Sequence, residues 1–179
     1  MTDAPQARAA ATRAYVGAGG NVGDRLAALR AAAAALGARS DTAVAGVSPV
    51  YETAALVRPG QPPQRDHLNA VLALDTSLGP AALLRVLRAL ERAAGRDHAR
   101  PRWSARPLDL DVLVYGTCRL STDLLTVPHP ELAARRFVLQ PFADLAPELV
   151  VPGLGRTVAE LLRDTPDRSR AARTAHRLP

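Results

Sequence analysis

The segment Leu108-Asp109-Leu110-Asp111-Val112-Leu113-Val114-Tyr115 constrains this chain more than any other. Its period of two fits a pleated strand and no helix. It places Leu108, Leu110, Val112 and Val114 on one face and Asp109, Asp111 and Leu113 on the other. The apolar face demands a core. The acidic face sets two carboxylates at i and i+2, with Cα atoms roughly 6.5–7 Å apart. Like charges so placed repel unless a cation sits between them. Oxygen donors without a supporting His or Cys suit a hard ion, Mg²⁺ or Mn²⁺, better than zinc. The plainer alternative is an exposed polar strand face with incidental arginines nearby.

The segments on either side fix what that strand can pair with. Ala14 to Gly17 reads as a short buried strand running into Gly19-Gly20-Asn21-Val22-Gly23. Asp24 then opens a helical stripe of Leu26, Leu29, Ala33 and Leu36, with Gly37 placed to end it. Ala43 to Thr53 reads as an irregular strand broken at Ser48-Pro49, and Arg58 to Asp66 as a loop. His67 to Thr76 alternates around Leu68, Ala70, Leu72 and Leu74. Pro80 suits the first turn of a second helix, striped by Leu83, Leu84, Leu87 and Leu90 and ended at Gly95. Arg96 to Arg106 is an arginine-dense loop, and Leu124 to Pro130 a proline-flanked one. Phe137 to Leu145 is a short apolar run, and Thr157 to Leu162 a short helix. The order β-α-β-β-α-β predicts an α+β fold of the ferredoxin-like split βαβ type. It would be an antiparallel sheet with helices on one face, plus a C-terminal helical extension. The domain is expected over 14–162, with a flexible segment at 1–13 and a disordered basic tail at 163–179.

The chain has 179 residues, enough for one domain, and a formal net charge of +6. All 23 basic residues are arginine. A phosphate-gripping lysine of the Walker type is therefore impossible, and any phosphate must be held by guanidinium forks, backbone N–H groups or metal. No apolar run approaches the roughly 18–20 residues of a membrane helix. The first residues carry no secretory pattern, and the single Cys118 can form no internal disulfide. A cytoplasmic protein that binds no membrane is expected.

Several side chains carry possible chemistry. Arg102 and Arg106 stand just upstream of the acidic pair, where a polyphosphate bridging metal ions would need them. Trp103, the only tryptophan, either stacks on a flat ring or roofs the core. His129, in Thr126-Val127-Pro128-His129-Pro130, either bonds a phosphate oxygen or packs between prolines. The glycine-rich turn at 17–23 matches neither the dinucleotide-binding nor the Walker pattern and reads better as a tight β–α connection. Asn69 either offers its amide to a heterocycle or caps a loop. At this level an RNA-binding module and a metal-dependent nucleotidyltransferase both stay open. Few aromatics and the carboxylates at 109 and 111 weigh against RNA.

These motifs, in this order, resemble the 6-hydroxymethyl-7,8-dihydropterin pyrophosphokinase family over about Tyr15 to Leu162. The resemblance rests on Tyr15-Val16-Gly17-Ala18-Gly19-Gly20-Asn21, Ser48-Pro49-Val50-Tyr51-Glu52-Thr53 and His67-Leu68-Asn69-Ala70-Val71. It is closest at Arg102-Trp103 with Arg106-Pro107-Leu108-Asp109-Leu110-Asp111, and continues through Leu125-Thr126-Val127-Pro128-His129-Pro130, Arg135 and Phe137. It implies transfer of pyrophosphate from ATP to the pterin hydroxymethyl group, releasing AMP, in folate biosynthesis. It further implies that Asp109 and Asp111 hold two Mg²⁺, and that Arg96 and Arg106 act with them in catalysis. Glu91, His98, Arg102, Trp103, Arg106, Val112, Thr126, His129 and Arg135 would meet ATP. Thr53, Ala54, Leu56, His67, Asn69, Trp103 and Phe137 would meet the pterin. A monomer that takes no nucleic acid is expected.

Overall fold

A computed structural model describes residues 10–55, 63–97, 99 and 104–179. Strand β1 (Thr12–Gly20) leads to α1 (Arg25–Gly37), β2 (Thr42–Val47), β3 (Tyr51–Thr53), β4 (His67–Thr76), α2 (Pro80–Ala93) and β5 (Asp109–Tyr115). Short strands β6 (Leu120–Ser121) and β7 (Thr126–Val127) pair with each other before a 3-10 turn, Leu132–Ala134, and α3 (Arg136–Leu145). Strands β8 (Val150–Val151) and β9 (Arg156–Thr157) form a second small pair. Helix α4 (Val158–Asp164) and β10 (Ala171–Arg173) complete the chain.

The helix boundaries follow from local chemistry. The Asp24 carboxylate accepts the Ala27 N–H at 3.0 Å and caps α1. Pro80 opens α2, where its missing N–H costs nothing. Gly95, at φ +86°, takes the left-handed conformation that turns the chain off the end of α2.

The main sheet runs β10-β3-β4-β1-β5, with β2 also on β4 and every pairing antiparallel. The break at Ser48-Pro49 lies between β2 and β3, which occupy one edge of β4 in succession. Ser48 bridges the break. Its N–H donates to the Val71 carbonyl and its Oγ accepts the Val71 N–H, both at 2.9 Å.

The two helices of the β-α-β-β-α-β order share one face, as expected: α1 and α2 cover one side of the sheet through Leu29, Leu36, Leu83 and Leu87. Helices α3 and α4 cover the other through Leu139, Phe142 and Leu161. Strand β4 shows why. Leu68, Ala70, Leu72 and Leu74 enter the first core, and Val71 and Ala73 the second. A strand apolar on both faces needs cover on both.

Val114 is on the opposite face from that expected. In the β1–β5 register Tyr15 opposes Val114 and Val16 opposes Val112, so Leu113 is an extra residue. This bulge shifts the alternation, sending Val114 to the α3 side with Tyr15 and Tyr115 to the α1/α2 side.

The basic tail is ordered rather than loose: β10 pairs with β3, and Leu178 packs against the α1/α2 core. Strand β3 would otherwise present an open edge of backbone donors and acceptors, and the polar tail satisfies it. The strand at the N-terminus also starts earlier than expected, at Thr12, with Arg13 paired to Asp75 across β4 at 2.6 Å. Residues 1–9 of the expected flexible segment lie outside the described residues.

Candidate active site

On the α3 side of the sheet the cover is incomplete. The C-terminal half of β1 and the N-terminal halves of β4 and β5 floor a cleft of about 580 Å³. Glycines make the floor. Gly17 and Gly19 line it, and a Cβ on Gly19 would stand 2.4 Å from Asn69 Oδ1. A Cβ on Gly20 would meet the Pro107 carbonyl oxygen at 2.3 Å, so the loop before β5 crosses directly over β1. Asn21 fixes that crossing: its N–H donates to the Arg106 carbonyl and its Oδ1 accepts the Arg106 N–H, both at 2.9 Å. The glycine-rich segment thus serves close approach of backbone and amide, with only Gly23 of its residues at positive φ.

One part of the cleft is ionic. Asp109 and Asp111 project from β5 into it, as the alternation predicted. Arg96 bonds both Asp109 and Glu91, and Arg106 Nη1 reaches Asp109 at 3.1 Å. Burial, and then the neighbouring Asp109, push the Asp111 carboxyl above the ordinary range. The Arg106 Nε is buried with no acceptor among the described residues. Glu91 does not line the cleft. It is buried beneath, where its carboxylate accepts the Leu110 N–H at 2.8 Å and braces Arg96. Burial pushes its carboxyl up to about 7, against the pull of the Leu110 N–H and Arg96.

His129 also faces the cleft. Its backbone N–H donates to the carbonyl of the bulged Leu113 at 2.9 Å, and its ring Nδ1 accepts the Glu131 N–H at 3.2 Å. Burial, then Arg135, bring the imidazole down to about 4, so it is neutral near pH 7. Arg135 bonds Glu131 and lies 5.6 Å above the Phe137 ring centroid.

The rest of the lining is a hydroxyl, an amide, an imidazole and an aromatic ring. Thr53, Ala54, His67, Asn69 and Phe137 all line the cleft here. Asn69 Nδ2 donates to Thr53 Oγ1 at 2.7 Å, which orients the amide. Burial, then Arg106, lower His67 to about 4 as well, so it too is neutral.

The structure therefore brings together Arg96, Arg106, Asp109, Asp111, His129, Arg135, Thr53, Ala54, His67, Asn69 and Phe137. It does not bring Val112 or Thr126 to the cleft. Val112 occupies an alternate position of β5 and is buried in the α1/α2 core, so its side chain faces away. Thr126 is on β7, paired with Ser121. Leu56, His98, Arg102 and Trp103 lie outside the described residues. Gln64, Ser104 and Ala105 line the cleft without having been picked out. Their only signal in the sequence was membership of loops next to the motifs.

Paired carboxylates among guanidinium groups, next to an aromatic and amide wall, define a site for handling a polyphosphate beside a flat heterocycle. Known proteins narrow that class. A family model described as 7,8-dihydro-6-hydroxymethylpterin-pyrophosphokinase (HPPK) matches residues 15–147, and the chain belongs to that family. A 2-amino-4-hydroxy-6-hydroxymethyldihydropteridine pyrophosphokinase from Pseudomonas aeruginosa is 42% identical over 154 residues, 86% of this chain and 92% of that one. The protein of the same name from Methylorubrum extorquens is 42% identical over 151 residues, 84% of this chain and 92% of its own. Among solved structures, wild-type HPPK-DHPS of Plasmodium falciparum with SDX-DHP matches 86% of this chain at 14% identity, with a TM-score of 0.63. This shows a shared fold, and the chain spans 44% of that protein's length.

Proposed function

We propose that the protein transfers pyrophosphate from ATP to the hydroxymethyl oxygen of 6-hydroxymethyl-7,8-dihydropterin, releasing AMP, as a step of folate biosynthesis. Family membership supports the reaction. The observation that carries it to this chain is the Asp109–Asp111 pair with Arg96, Arg106 and Arg135, set in one cleft with Asn69 and Phe137. In the same reading the sheet order is that of a split βαβ fold, and the enzyme is cytoplasmic, monomeric and free of nucleic acid.

The donor set fits a divalent cation. Asp111 is held above its ordinary range by burial and by Asp109, a repulsion that a shared cation removes. Among the described residues no cluster of three or more His, Cys, Asp or Glu could hold a metal by itself, so phosphate and water oxygens must complete the shell. Asp109 and Asp111 would hold two Mg²⁺. When bound, the ions supply charge neutralisation on the triphosphate and favour attack at the β-phosphorus.

The chain's own groups position the reactants. Arg96 and Arg106 stand where negative charge must be held, and the orphaned Arg106 Nε is a donor ready for a phosphate oxygen. Neutral His129 offers its Nε2 side to the phosphates, since Nδ1 is already accepting. Asn69, oriented by Thr53, reads the edge of the heterocycle, and neutral His67 and Phe137 wall it. By the family resemblance, His98, Arg102 and Trp103 would meet the nucleotide, and Leu56 and Trp103 the pterin. Catalysis then rests on alignment and preorganised charge.

Incubation with ATP, Mg²⁺ and the hydroxymethyl-dihydropterin is expected to yield AMP and the pterin pyrophosphate. ADP or free pyrophosphate as products would refute the proposal.

A further inference from the structure

The pterin side of the cleft stands on two elements, the first turn of α3 and the strand β3, and a single C-terminal segment holds both. Helix α3 has Arg135 at its N-cap, and no side chain there caps it. The N–H groups of a helix's first turn need acceptors. Asp167 reaches back across 31 residues, its Oδ2 accepting the Arg136 N–H at 2.7 Å. Its Oδ1 accepts the Ser169 N–H at 2.8 Å, and its own N–H donates to Thr165 Oγ1 at 3.4 Å, so the carboxylate is anchored by its own turn. Burial alone would raise this carboxyl, but the Ser169 and Arg136 bonds hold it below its ordinary value. A carboxylate there also meets the positive end of the helix dipole. The turn it caps carries Arg135 and Phe137, both lining the cleft.

The same segment then lies along β3. Ala171–Arg173 pair with Thr53–Tyr51, and the Thr174 N–H and Oγ1 both donate to the Val50 carbonyl at 2.9 Å. Strand β3 ends in Thr53, the residue that orients Asn69. Asp144 of α3 ties the two elements together, accepting the Tyr51 hydroxyl at 2.7 Å with Arg173 at 4.0 Å. The far end is pinned too: Arg30 Nε donates to the Arg177 carbonyl at 3.1 Å, and Leu178, partly buried, packs against the α1/α2 core. The segment itself, residues 165–178, lies beyond residues 15–147, which the family model matches.

We propose that residues 165–178 form a clamp that aligns the heterocycle side of the cleft, with Asp167 as its positioning residue. Asp167 itself does not line the cleft; it acts through the first turn of α3. The identity of the heterocycle rests on the function proposed above, whereas the clamp itself does not.

Three variants test it: Asp167→Ala, Asp167→Asn, and Thr157→Ala. The last removes the N-cap hydroxyl of α4, away from the cleft, and serves as a control for stability loss alone. Loss of a charged cap should raise the KM for the hydroxymethyl-dihydropterin about tenfold. A smaller change is expected in the KM for ATP: Arg135 shares the capped turn, but Arg96 and Arg106, on other segments, keep their hold on the phosphates. Asp167→Asn, which keeps one of the two acceptor oxygens but not the charge, should recover only part of the loss. An unchanged pterin KM, an equal rise in both KM values, or the same rise in Thr157→Ala would overturn the clamp. Amide hydrogen exchange reads it without turnover. Asp167→Ala should speed exchange at 136–139 and 51–53, and an unchanged pattern there overturns the clamp. A wild-type protein that makes no pterin pyrophosphate would refute the proposed function, while the exchange result would still decide the clamp.

Discussion

Asp111 concentrates the electrostatic problem that this cleft poses. Its carboxyl is buried next to a second carboxylate, and both effects disfavour its charge. Asp111→Ala is expected to lower kcat/KM for AMP release by at least about two decades, or about 3 kcal/mol of transition-state stabilisation. Near-wild-type turnover in a steady-state assay would remove its proposed role. The pair was legible in the sequence because a period of two fixes which residues share a face. Glu91 was only half legible. A carboxylate on α2 near the nucleotide could be named by resemblance. That it would be buried, accepting the Leu110 N–H and bracing Arg96, depends on how α2 packs against β5. Val112 shows the converse: it is next to the motif in sequence, but the pleat turns its side chain into the core.

Among the elements, the bulge in β5 and the loop after β7 act together. Leu113 is the inserted residue, and its carbonyl holds the His129 N–H. The His129 ring is thereby packed with Arg135 and Asp109 as the charged groups acting on it. Its folded pKa, about 4, lies below the unfolded value, so between the two the unfolded chain binds more protons. Stability is therefore complete above about pH 6.5 and falls as pH drops toward about 4, by at most about 3 kcal/mol for this group. His67 carries the same sign. His129→Gln keeps a polar side chain but has nothing to protonate. Urea midpoints at about pH 7 and about pH 5 should show wild type losing about 2 kcal/mol more than this variant. Equal losses would mean that His129 is already charged in the folded protein. The strands and the first two helices were readable because period and caps are local. The bulge was not, since one extra residue shows only against the strand it pairs with.

For the molecule as a whole, the cleft is formed where the β1, β4 and β5 floor runs out from under α3. Ligand binding should therefore stabilise the entire fold. A non-hydrolysable ATP analogue with Mg²⁺ at a hundred times its Kd should add about 2.7 kcal/mol, seen as a higher Tm. Asp109→Asn/Asp111→Asn should abolish the Mg²⁺-dependent part of that shift, and a double variant stabilised as much as wild type would refute carboxylate-held magnesium. The sequence by itself determined the β-α-β-β-α-β order of the first strands and helices, the facing of the acidic pair and the family, because periodicity, caps and motif spacing are properties of short stretches of chain. Only the tertiary structure decided that α3 and α4 cover the second face of the sheet, that Glu91 lies beneath the site, and that the arginine-rich tail is bound to β3 and α3. Those outcomes depend on which backbone edges and helix ends are left unsatisfied once distant segments have packed, and no local pattern carries that information.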